Sequence, residues 1–296
     1  KMTEIANLVR EEVRKEIING GFSGTYKVEQ MRDKPHISGE IQFPSLDTIV
    51  IGYNPEYEKI APGMLPIMAR DVSRHEQNHR VYKGLNGCPR NLDYHTERFI
   101  EPIAKVLLPK GFGKDDIQYL ANTLEDSILH SDLSAKFPLE GISEFFSDVG
   151  MNLREQEFTP FYDAQVKLNM FLWGSKAQRK QQKPYFVKDK EKQKKIAEVV
   201  QNFIRRTGIG SLEHKIEVNG KGFTIIAEVK DRKQIRDFLN NEENWERLAE
   251  IYAEEFSKLM EPSYALPILN HSGRGTKGRE IEVRLPADGN EFDKAM

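Results

Sequence analysis

The segment from Leu65 to His79 constrains the fold more than any other stretch. Leu65, Met68, Ala69 and Val72 recur at helical spacing, and the same face continues into His75, Glu76 and His79. Residues four apart share a helix face, so His75 and His79 point the same way, one turn apart. Arg70, Arg74, Asn78 and Arg80 fall on the other side, which is expected to be solvated. A helix with two imidazoles and a carboxylate along its buried stripe cannot pack on hydrocarbon alone. Those groups need partners, and a metal would supply them.

The three residues read H-E-x-x-H in "DVSRHEQNHRV". Neutral imidazoles one turn apart can grip one metal ion, and the glutamate between them can reach a water beside it. His75 and His79 are therefore candidate metal ligands, Glu76 a candidate general base, and Zn2+ the expected cofactor. A catalytic zinc usually has three protein ligands and one open position. Tyr82 and Leu85 stand where a glycine-and-histidine extension of the motif would place its residues, so the third ligand must come from farther along. The best segment is "NTLEDSILH", Asn122 to His130. Ile117, Leu120, Ala121, Leu124 and Ile128 make its apolar arc, with Glu125 at the arc's edge and Asp126 on the side of Asn122 and His130. Glu125 and Asp126 stand nearly equal as third ligand, and the other is free to orient a ligand histidine. Glu144 in "SEFFSD", spaced with Asp148, and His95 and His130 are lesser candidates.

"HEQNH" followed some 45 residues later by "NTLEDSILH" resembles the zincin-type metallopeptidase domains that accompany von Willebrand A-type domains. The resemblance covers about 60 of the 296 residues, through Asn122, Leu124, Glu125 and Asp126, with His130 at a final polar position. It implies a zincin-like fold, a zinc-dependent peptidase activity and a peptide or protein substrate. The C-terminal region carries no von Willebrand-like metal motif.

The remaining chain reads as α+β, mostly helical. Helices are expected over 3–18, 65–82, 93–108 and 115–130, then on to about 174, and again over 196–206 and 232–260. "ISGEIQF" and "TIVIGY" read as strands, and the second is expected at the cleft edge, where it could pair with an extended substrate. Asn219-Gly220 marks a hairpin between two alternating segments, and "REIEVRL" reads as a last strand. The composition shift at 175–195, strongly basic, reads as a linker or solvated helix face. The expected layout is a zincin-like domain over 1–174, a basic linker over 175–195 and a small α+β domain over 196–296.

Charge and composition narrow the partners. With 44 basic against 46 acidic residues the formal net charge is −2, which demands no nucleic-acid or anionic-membrane partner. Nucleic-acid binding through 175–195, with Tyr185 and Phe186 between lysines, and through "HSGRGTKGR" is weighed down by the acidic residues close by. No apolar run approaches the roughly 20 residues of a membrane span. One cysteine, Cys88, fits a reducing, cytoplasmic location. "ADGNEFDKAM" does not read as a natural domain end, so a further domain or larger complex is expected beyond it. The alternative to a hydrolase is an assembly or binding module whose zinc site is closed by a fourth ligand, or is inactive.

Overall fold

The computed structural model describes residues 2–31, 37–42, 47–81, 96–142, 160–175, 187, 189–209, 215–219, 222–226 and 232–261. The chain begins with helix α1 (Met2–Asn19), whose Val9, Val13 and Ile17 are buried at the predicted spacing. Three strands follow: β1 (Thr25–Gln30), β2 (Ile37–Ile41) and β3 (Thr48–Tyr53). They form one sheet in the order β1-β3-β2, with β1 parallel and β2 antiparallel to β3. β3 is therefore the central strand, with both edges hydrogen-bonded, and it cannot pair with a substrate. This corrects the expectation that "TIVIGY" lies at the cleft edge. The reason is a third strand, "TYKVEQ", which lacks the alternating apolar signature: only Val28 in it is even half-buried.

Helix α2 (Met64–Val81) covers one face of this sheet together with α1. Leu65, Met68 and Ala69 join Val9, Val13, Ile37, Ile49, Ile51 and Tyr53 in a compact core. The other side of α2 is not simply solvated, contrary to the reading of Arg74. Its guanidinium makes a forked pair with Glu16 on α1, at 2.8 and 2.9 Å, and lies over the Phe137 ring. Gln77 donates to the Glu16 carbonyl at 3.1 Å. These bonds fasten α2 to α1 and fix how far α2 is rotated.

The rest of the described chain is helical apart from one hairpin. A turn at Thr96–Ile100 runs into α3 (Glu101–Leu107), and a tighter turn over Leu108–Lys110 closes at Gly111 in the left-handed region, φ 83°. Then come α4 (Lys114–Ser134), α5 (Pro160–Leu172) and α6 (Lys190–Thr207). The helix predicted from 196 begins at Lys190, because Asp189 accepts a cap bond from the Lys192 N–H at 2.9 Å. The end of the basic segment is thus a solvated helix face. The predicted hairpin is present as β4 (Lys215–Asn219) and β5 (Gly222–Ile226), paired antiparallel. The stretch 232–260 divides into α7 (Arg232–Leu239) and α8 (Trp245–Phe256), separated where Asn241 caps the following turn. Residues before and after the basic segment share a second core: the Phe161 ring meets Phe256 at 5.8 Å, and Tyr252 stacks on Phe256 at 4.2 Å. The "REIEVRL" strand lies outside the described residues. Among the described residues, no helix is long and apolar enough to cross a membrane.

Replacing Glu16 with alanine removes two charge-assisted bonds and leaves a largely buried guanidinium underpaired. Glu16→Ala is expected to lower stability by about 2 kcal/mol, with Glu16→Gln costing less, as read from urea midpoints at unchanged slope.

Candidate metal centre

The site forms where α2 meets α4. His75 and His79 project from one face of α2 with their rings nearly perpendicular, at 88°, and their Nε2 atoms 3.1 Å apart. Asp126 on α4 brings Oδ1 to 3.3 Å from the His75 Nε2 and 3.7 Å from the His79 Nε2. These three side chains are grouped so that their ligand atoms all lie within 4.8 Å of one another. Four-coordinate zinc, with bonds of about 2.0–2.2 Å, sets its ligands about 3.3–3.6 Å apart. The three observed edges bracket that separation.

The chemistry of the donor set supports a cation there. The Glu125 carboxylate lies 2.9 Å from the His79 Nδ1. A carboxylate accepts, so this nitrogen carries the proton, and the His79 Nε2 turns a lone pair toward His75 and Asp126. With both rings neutral and Nε2 bare, three electron-rich atoms converge in a buried place, which is the arrangement a cation would stabilise. Asn122, one turn before Asp126, donates to its Oδ2 at 3.4 Å and leaves Oδ1 facing the histidines. Burial works against a charged His75, yet the neighbouring Asp126 carboxylate raises its pKa above the ordinary histidine value.

Glu76 is buried beside this triangle. Burial pushes its carboxyl up to about 7; His75 opposes the rise, while Asp126 and Glu40 add to it. It lines a cavity of about 60 Å3 with His75, Asp126, Gly39, Ile142 and Tyr162, which leaves room for an ion and a water or two. The far wall is polar but internally engaged. Gln165 donates to the Thr123 carbonyl and to Ser127, and accepts from the Tyr252 hydroxyl at 2.5 Å. Asn169 in turn accepts from the Trp173 indole at 2.9 Å. This chain of bonds ties α4 to α5 and α8 and holds Asp126 in place.

A second set of contacts fixes α2 from the opposite side. Asp71, fully buried, accepts from the Gly141 N–H at 2.7 Å and from Arg70 at 3.1 Å. A Cβ on Gly141 would lie 2.6 Å from the Met68 Cα, so only glycine lets this segment touch the α2 backbone. Ile142, the next residue, then reaches the cavity.

Of the residues singled out from sequence, His75, His79, Glu76, Glu125 and Asp126 are brought together. Asp126 supplies the oxygen facing both histidines, and Glu125 is bonded to the outer nitrogen of His79. His130 lies on the cavity wall with its ring 4.7 Å from that of His75, but it does not join the ligand group. His95, Glu144, Asp148 and Tyr82 lie outside the described residues. Gly39, Tyr162 and Gln165 were not legible as site residues. Only Gly39 had a signal, an isolated glycine within a strand pattern, which marks a close approach. No family model, curated protein or solved structure matches the chain.

The two carboxylates are expected to differ sharply on substitution. Asp126→Ala should abolish measurable Zn2+ or Co2+ binding, whereas Glu125→Gln should weaken it about 10–100-fold. Calorimetric titration of the metal-stripped protein measures both.

Proposed function

We propose that this protein is a zinc-dependent hydrolase acting on peptide bonds, with a zincin-like helix-and-sheet arrangement around the site. The observation that carries the reading is the convergence of His75, His79 and Asp126, with Glu76 buried in the cavity beside them. Three protein ligands with one open position is the usual arrangement of a catalytic zinc, and His75, His79 and Asp126 fit the first part of it. The resemblance of "HEQNH" and "NTLEDSILH" to zincin-type peptidases points the same way.

His75, His79 and Asp126 would hold the ion. When bound, it supplies Lewis acidity, lowering the pKa of a water and polarising the substrate carbonyl. Glu76 takes one proton from the attacking water as its oxygen bonds to the carbonyl carbon. It then delivers that proton to the amide nitrogen as the C–N bond breaks, leaving a carboxylic acid and an amine. Glu125 keeps the His79 tautomer that turns Nε2 inward. The internally bonded wall of Thr123, Gln165 and Asn169 keeps the cavity polar groups from competing for that proton.

Glu76→Gln is nearly isosteric and removes only the proton acceptor. The variant should retain one equivalent of zinc by mass spectrometry yet lose hydrolysis of a defined peptide mixture by at least about 100-fold. Treatment of the wild-type protein with a chelator should stop cleavage, and added Zn2+ should restore it. Unaltered cleavage by the metal-loaded Glu76→Gln protein would refute the role of Glu76.

A further inference from the structure

The position of Glu76 depends on a residue that carries no chemistry of its own. β2 packs against α2 with Gly39 directly over the site, and Gly39 lines the same cavity as Glu76. A Cβ built on Gly39 would fall 2.5 Å from the Glu76 Oε1, 2.9 Å from its Cγ and 2.4 Å from the Val72 Cγ1. Real Cβ atoms do not approach so closely. The carboxylate of Glu76 therefore occupies the volume that any other residue at position 39 would fill.

The strand edge adds to this. Gln42 donates to the Thr48 carbonyl at 2.9 Å, so the even-numbered residues of β2 turn their N–H groups toward β3. Gly39 and Ile41 then turn theirs away from the sheet, toward its free edge. The Ile41 N–H meets the Glu76 carboxylate there and partly offsets the effect of burial on it. The carboxylate is thus seated in a notch: below it the missing side chain of Gly39, to one side Val72, and at the rim a backbone donor.

We propose that Gly39 is a positioning residue, and that the notch it leaves in β2 is the seat holding the Glu76 carboxylate beside the metal ligands. The proposal deepens the hydrolase reading and rests on it for its catalytic consequence, but the seat itself is a property of the chain without metal. The clashes of a Cβ at position 39 fall on Glu76 and Val72, so metal binding is expected to survive a change there.

Two measurements test it. The first is a double-mutant cycle in melting temperature, using the metal-free protein. Gly39→Ala should destabilise the wild-type protein, and should cost clearly less in a Glu76→Ala background, where Oε1 and Cγ are gone. Purely additive effects would overturn the seat. The second is kinetic. Gly39→Ala should bind one equivalent of Zn2+, while kcat on the peptide mixture falls about 100-fold with KM little changed. Gly39→Ala/Val72→Ala separates folding from positioning. Removing Val72 Cγ1 should recover part of the lost melting temperature without recovering the kcat of the Val72→Ala single variant. A metal-loaded Gly39→Ala protein with wild-type kcat would overturn the proposal. If the wild-type protein binds no zinc, the hydrolase reading fails, and the stability cycle still decides whether the seat exists.

Discussion

Everything in this structure turns on the meeting of α2 and α4, where two imidazoles on one helix face two carboxylates on the other. Burying four such groups away from water is costly unless each finds a partner. Here Glu125 takes the outer nitrogen of His79, and Asp126 faces the inner nitrogens of both rings. The arrangement has a built-in division of labour. One carboxylate bonds the outer nitrogen of His79 and the other completes the candidate ligand triangle, so adjacent residues on one helix have different partners.

Such a meeting needs α2 held in rotation and in depth. Arg74 and Gln77 fasten it to α1, Asp71 fastens it to the Gly141 backbone, and the sheet supports it from below. None of these contacts touches the ligand triangle, yet each limits how far His75 and His79 can swing. On the opposing side, the bonds among Thr123, Gln165, Asn169, Trp173 and Tyr252 do the same for α4. The small sheet core and the larger helical core thus press the two halves of the site together. The site sits on rigid helices, which allows sub-ångström placement of ligand atoms.

Much of this was readable from periodicity. The apolar positions repeat at helical spacing over about two turns in α2, where the histidines then continue the stripe, and over about three in α4, and repetition of that kind survives tertiary packing. β3 and the β4–β5 hairpin carried β-branched runs or a tight-turn signal. β1 was not readable, because "TYKVEQ" is an exposed strand held by its backbone pairing to β3, and such pairing leaves no mark on side-chain polarity. That omission moved β3 from the edge to the centre of the sheet, and with it the free edge near the site passed to β2. The break between α7 and α8 was hidden for a different reason. Asn241 interrupts the helix by capping the turn that follows, a local bond that hydrophobic spacing does not record.

By itself the sequence determined that His75 and His79 share a helix face and that this face is buried. Both follow from a 3.6-residue repeat acting on neighbouring side chains. Ahead of Glu144, His95 and His130, it ranked Glu125 and Asp126 nearly equal as the third ligand. It could not choose between them, because consecutive residues on a helix differ by about 100° in direction and both flank the same apolar arc. The rotation of α4 against α2 turns Asp126 toward the inner nitrogens of both histidines and Glu125 toward the outer nitrogen of His79. The seat of Glu76 was likewise a tertiary decision. A glycine in a strand announces that something comes close, but what comes close is a side chain from a helix some 37 positions away, and no local pattern encodes that distance.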